Sequence, residues 1–77
     1  MRPPRRYGED VILLNGRQSE LQAGEPLWRA LELLGVAERP RGVAVAVDGE
    51  VVPRERWREY RLKDGQRVEV LTAIQGG

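Results

Sequence analysis

Apolar positions recur along this chain with two periods, and the switches between them lay out the elements. Val11-Ile12-Leu13-Leu14 is a short β-rich run ending at Asn15-Gly16. That dipeptide suits a two-residue hairpin turn, where both central residues take positive φ. Residues 17–21 are then expected to return as a second strand. Glu25-Pro26 predicts a helix start, because proline in the first turn lacks only an N–H that would have had no partner. Leu27, Ala30, Leu31 and Leu34 fall at i, i+3, i+4 and i+7, one helical stripe facing a core, with Trp28 and Leu33 at its margins. Gly35 is placed to end the helix in the left-handed conformation. Val43-Ala44-Val45-Ala46-Val47 has period two, valines toward the helix and alanines away from it. Asp48-Gly49 is a second hairpin turn, Glu50-Val51-Val52 returns, and Pro53 stops that strand because it cannot donate to a ladder. Residues 54–60 read as one turn or a loop around Trp57, which is expected to plug one end of the core. After a turn at Asp64-Gly65, residues 66–72 alternate. Val68, Val70 and Thr72 share one face and Arg67, Glu69 and Leu71 the other, a strand expected to run through the middle of the sheet.

The order is strand, strand, helix, strand, strand, irregular segment, strand. It predicts an α+β fold of the β-grasp, ubiquitin-like kind: a mixed sheet of four to five strands covered on one face by one helix. Residues 11–72 make up the domain. Residues 1–10, with Pro3-Pro4 and three arginines, are expected to be a flexible arm, and residues 73–77 a flexible functional tail.

Composition narrows the function. The chain has 77 residues and neither cysteine nor histidine. A disulfide, a thiolate metal site, a cysteine nucleophile and the commonest general base are all excluded, and self-contained hydrolysis or metal chemistry is not expected. Thirteen basic residues stand against twelve acidic ones for a net charge of +1, which speaks against a polybasic nucleic-acid binder. No apolar run reaches the roughly 20 residues of a membrane span, and the N-terminus has no apolar signal core. A soluble cytoplasmic protein without nucleic-acid or membrane partners is expected.

The feature with chemical content is Gly76-Gly77, placed just after a strand. Glycines have maximal backbone freedom and no Cβ, so such a tail is able to thread a narrow channel and present its carboxylate inside another protein. A carboxylate is ionised at neutral pH and is a poor electrophile, so it needs activation, most simply by adenylation. The chain has no phosphate-cradling glycine loop, so a partner must bind the ATP.

Together the residues resemble the ThiS family of sulfur carriers in thiamine biosynthesis. The resemblance rests on Leu14-Asn15-Gly16, Leu31-Glu32-Leu33-Leu34-Gly35, residues 43–50, Val52-Pro53-Arg54-Glu55-Arg56-Trp57 and residues 62–77. Its most specific parts are the Val-Pro-Arg-x-x-Trp segment and the Thr-Ala-x-x-Gly-Gly end. It implies that a ThiF-type, E1-like enzyme adenylates the Gly77 carboxylate using ATP and Mg²⁺, with no cofactor bound by the chain itself. Sulfur from a cysteine desulfurase would then give a thiocarboxylate that supplies the thiazole synthase ThiG. The carrier would be a protein co-substrate and shuttle, not an enzyme, with Gly76 and Gln75 threading the partner's channel. Alternatives are a MoaD-like small subunit of molybdopterin synthase, whose tail more often has a Pro-Pro pair where this chain has Thr72-Ala73-Ile74-Gln75, a carrier for tRNA thiolation, and a passive β-grasp interaction module. A partner must also grip the body. Alternation nominates the sheet face opposite the helix, with Ala44, Ala46 and Leu71 flanked by Arg67 and Glu69.

Overall fold

The computed structural model describes residues 11–73. The expected N-terminal arm and the tail residues Gln75, Gly76 and Gly77 lie outside these described residues. Among the described residues five strands form one sheet: β1 (Leu13–Leu14), β2 (Arg17–Gln18), β3 (Val43–Val47), β4 (Glu50–Val51) and β5 (Arg67–Thr72). One helix, α1 (Trp28–Leu33), lies between β2 and β3 in the chain, and a 3₁₀ turn spans Arg54–Arg56. The strand order is β2-β1-β5-β3-β4. β5 pairs parallel with β1 and antiparallel with β3, so the sheet is mixed and its centre is the last of the described strands.

Both hairpins turn as their dipeptides dictate. Asn15 and Asp48 each take φ of 52°, and Gly16 and Gly49 take 83° and 85°. Both central residues of a type I′ turn require this region. Each turn also reaches the central strand through its first side chain. Asn15 Oδ1 accepts the Val70 N–H at 2.8 Å, and its Nδ2 donates to the Val70 carbonyl at 3.3 Å. Asp48 Oδ1 accepts the Arg67 N–H at 2.9 Å, while the Asp48 N–H donates to the Arg67 carbonyl at 2.8 Å. Side-chain groups thereby continue the ladder at the Val70 position, where β1 has already turned away. Asn15→Asp keeps the acceptor but sets a carboxylate oxygen against the Val70 carbonyl. We expect a loss of about 1–3 kcal/mol, read from urea denaturation; an unchanged midpoint would show that the second bond carries no weight.

The core is apolar and continuous. Ile12, Leu27, Ala30, Leu31 and Val68 are fully buried, and Val45, Val47, Leu62 and Val70 pack with them. The alternation in β3 and β5 holds: Val45, Val47, Val68 and Val70 face α1, and Arg67, Glu69 and Leu71 face out. Thr72 shares the valines' parity but is exposed at the strand's end. Trp57 closes one end of the core at 2 % exposure, its Nε1–H bonded to the Val52 carbonyl at 2.8 Å. Trp28 is half-buried at the core margin, with the Arg58 guanidinium 4.0 Å from its ring centroid.

Three expectations are corrected. The helix does not begin at Glu25-Pro26. Residues 24–27 are drawn instead to the segment at 60–62: the Gly24 N–H donates to the Leu62 carbonyl, the Leu62 N–H to the Glu25 carbonyl and the Leu27 N–H to the Tyr60 carbonyl. Pro26 forms a bridge with Arg61, and Leu27 becomes the N-cap. Leu34 is not on the core stripe. It is the C-cap residue and 41 % exposed, because the helix closes there in a Schellman motif. The Val36 N–H bonds the Leu31 carbonyl, the Gly35 N–H bonds the Glu32 carbonyl, and Gly35 has φ of 76°. Val36 and Ala37 pack on the core in its place. The returning strand of residues 17–21 ends at Gln18. There the Ser19 hydroxyl takes over, donating to the Ile12 carbonyl at 2.7 Å and accepting the Leu21 N–H at 3.2 Å.

Candidate functional site

The face of the sheet opposite α1 is assembled by the pairing of four strands. Ala44 lies opposite Leu71, and Ala46 opposite Glu69. Arg67, Glu69 and Leu71 are exposed along β5, as is Ala44 on β3, while Ala46 is half-buried. All five residues nominated from alternation therefore stand on one surface. The registers add two more. Val51 on β4 lies opposite Ala46 and is 76 % exposed, and Leu13 on β1 lies opposite Arg67 and is half-buried. Alternation within single strands missed both. Val51 was readable from the second turn, because a two-residue loop at Asp48-Gly49 pairs residue 47 with 50 and 46 with 51.

The surface is small-chained in its middle and apolar at two margins. Leu71, at 69 % exposure, and Val51 bracket the flat floor formed by Ala44 and Ala46. Large apolar groups left in water beside small ones present a flat, desolvatable patch. At the start of β5 the patch becomes polar in a shallow cleft between the two hairpin turns, where Arg67 and Glu69 stand near Leu13 and Asp48. Among the described residues, no group of three or more His, Cys, Asp or Glu is arranged to hold a metal ion. No described helix is long and apolar enough to cross a membrane.

β5 runs past this patch and ends at Thr72. Thr72 still pairs with Val43, and the Ala73 N–H donates to the Gly42 carbonyl at 2.7 Å. Four residues follow Ala73 in the sequence, ending in Gly76-Gly77.

Comparison with known proteins agrees with this geometry. The chain matches the ThiS family over residues 12–77. It is 33% identical over 66 residues to the sulfur carrier protein ThiS of Escherichia coli, a match covering 86% of this chain and 97% of that protein. Two solved structures of the thiamine biosynthesis protein ThiS from Geobacter metallireducens are also similar, each at 33% identity. The crystal structure superposes with a TM-score of 0.65, covering 87% of this chain and 99% of the other. The solution structure gives 0.67, with 87% of each chain covered. With a matching fold, a matching length and a family match that extends through the Gly-Gly end, this chain belongs to the ThiS family.

Proposed function

We propose that this protein is a sulfur carrier for thiazole formation in thiamine biosynthesis and that its reactive group is the Gly77 carboxylate. An E1-like adenylating enzyme of the ThiF type binds ATP and Mg²⁺. A carboxylate oxygen attacks the α-phosphorus, pyrophosphate leaves, and Gly77 becomes an acyl adenylate. The outer sulfur of a persulfide, supplied through a cysteine desulfurase, attacks the acyl carbon and AMP leaves; a thiol then cleaves the sulfur–sulfur bond of this acyl disulfide, releasing the thiocarboxylate and leaving a disulfide. The resulting thiocarboxylate is the sulfur donor for a thiazole synthase of the ThiG type. The chain's own part is to present an acyl carbon at the end of a narrow glycine tail and to dock its body; the catalysis belongs to its partners.

The observation that carries this reading is the family match running through Gly77, on a fold whose central strand ends at Thr72, five positions before that residue in the sequence. The test is intact mass after incubation with ATP, a sulfur source and an adenylating enzyme of this type. The expected product is heavier by the difference between one sulfur and one oxygen atom, located on Gly77 by fragmentation. A chain that stays at its starting mass while a known carrier is converted would overturn the reading.

Docking is assigned to the face bearing Ala44, Ala46, Leu71, Arg67 and Glu69, with Val51 added from the register. Leu71→Asp should raise the dissociation constant for the adenylating enzyme by about tenfold or more, as loss of an apolar anchor does. The side chain is already exposed, so stability should change by only about 0.5 kcal/mol. Unchanged binding in a titration would move the docking surface elsewhere.

A further inference from the structure

Gly42 lies outside the docking face, yet it touches the last described residue of the chain. It is the third residue of a turn closed by the Val43 N–H on the Pro40 carbonyl at 3.1 Å, and its φ is 76°. That position of a type II turn demands positive φ. The turn aims the Gly42 carbonyl at Ala73, whose N–H it accepts at 2.7 Å. The approach is close: a Cβ on Gly42 would lie 3.3 Å from the Ala73 Cβ and 4.0 Å from the Ala73 nitrogen. Gly35 supplies an internal contrast, with the same φ of 76° and nothing within 4 Å of the place a Cβ would occupy. The backbone conformation alone therefore accounts for glycine at 35, whereas at 42 a second constraint is present, and it is contact with the root of the tail.

We propose that Gly42 is a positioning residue for the acyl-transfer tail. Its carbonyl latches Ala73, and its missing side chain spares the latch a tight contact, since a Cβ there would require Ala73 to give by a few tenths of an ångström. The inference rests on the sulfur-carrier reading. β5 is held along both edges up to this point, by Asn15 at Val70 on one side and by Val43 opposite Thr72 on the other. The latch extends that anchorage by one residue beyond the strand. It fixes where the reach of the tail begins: four residues from Ala73 to Gly77, a span of at most about 13–14 Å. Each residue fixed before threading is one fewer to order inside the partner's channel. The docked complex then holds a larger fraction of its carboxylates at the reacting phosphorus.

The experiment compares the wild type, Gly42→Ala, Gly35→Ala and the double variant Gly42→Ala with Ala73→Gly. Three quantities are read: amide hydrogen exchange at Ala73, the kcat of ATP–pyrophosphate exchange with the adenylating enzyme, and the dissociation constant for docking. In the wild type the Ala73 amide should be protected. Gly42→Ala should remove that protection and lower kcat by about 5- to 30-fold, the factor associated with ordering one more residue. Docking should stay within about twofold, because the contacts of the sheet face are untouched. Gly35→Ala should lower the melting temperature through the same φ strain while leaving Ala73 protection and kcat intact. The double variant removes the tight methyl–methyl contact and should regain protection and part of the lost kcat. Equal kcat in the two single alanine variants would overturn the proposal, as would an unprotected Ala73 amide in the wild type. Should the wild type itself fail to be adenylated, the carrier reading fails and the positioning role with it, a result distinct from either of those two.

Discussion

Deleting Gly77, or extending the chain beyond it, should abolish thiocarboxylate formation and leave the folded body almost unchanged. Val70 is the last residue of the buried core, and Ala73 makes the last backbone hydrogen bond among the described residues. The change falls four positions past that bond, so the expected cost in stability is within about 0.5 kcal/mol. The chemical effect is of another order. Deletion moves the carboxylate back by one residue, roughly 3.3–3.6 Å, where a displacement of about 1 Å already costs about 100-fold. Extension replaces the carboxylate at Gly77 with an amide, which has no free acid to adenylate. The check is intact mass after the activation reaction, with a thermal melt on the same samples. A shortened chain that still gains sulfur would show that the acyl carbon is not the one at Gly77.

The second large effect is on stability. Leu31→Ala should cost about 2–5 kcal/mol, the range for truncating a buried leucine and leaving a cavity. Leu31 is fully buried on α1, and the short helix leaves few other groups to refill its space. Small domains bury a modest share of their surface and hold only about 5 kcal/mol or a little more in reserve. The variant should therefore be partly or wholly unfolded at room temperature, visible as loss of the cooperative urea transition. A midpoint equal to that of the wild type would mean that α1 packs through a different stripe.

Where local chemistry decides the outcome, the sequence was readable. Asn15-Gly16 and Asp48-Gly49 form the expected turns because few other dipeptides hold two positive φ values, and the valines of β3 and β5 face the helix because the period of a strand leaves one choice of parity. Where a distant segment competes for the backbone, it was not. The start of α1 is shifted by hydrogen bonds from residues 24–27 to 60–62, a pairing that no window around Pro26 contains. Leu34 satisfies the helical spacing, but it is the C-cap residue, and the Schellman closure folds the chain back so that Val36 and Ala37 pack on the core. The same division holds at the candidate site. Ala44, Ala46, Arg67, Glu69 and Leu71 follow from parity within a strand. Val51 and Leu13 join them only once strands are placed side by side, and Gly42 is tied to Ala73 by a contact across the fold. The proposed chemistry of Gly77, and the threading proposed for Gly76 and Gln75, rest on the sequence and the family, since those residues lie outside the described ones.

The position of β5 has a consequence for biosynthesis. The sheet's centre is the last of the described strands, so before residues 67–72 leave the ribosome the two hairpins have no shared neighbour. Val68 and Val70 are missing from the core until that moment, and the turn side chains of Asn15 and Asp48 have no ladder to join. Non-local pairings of this kind form late, after the cost of closing long loops is met. Folding is thus postponed until residues 67–72 have been made. A chain whose synthesis stalls before them lacks the centre of its sheet and stays open to proteases instead of accumulating as a folded body.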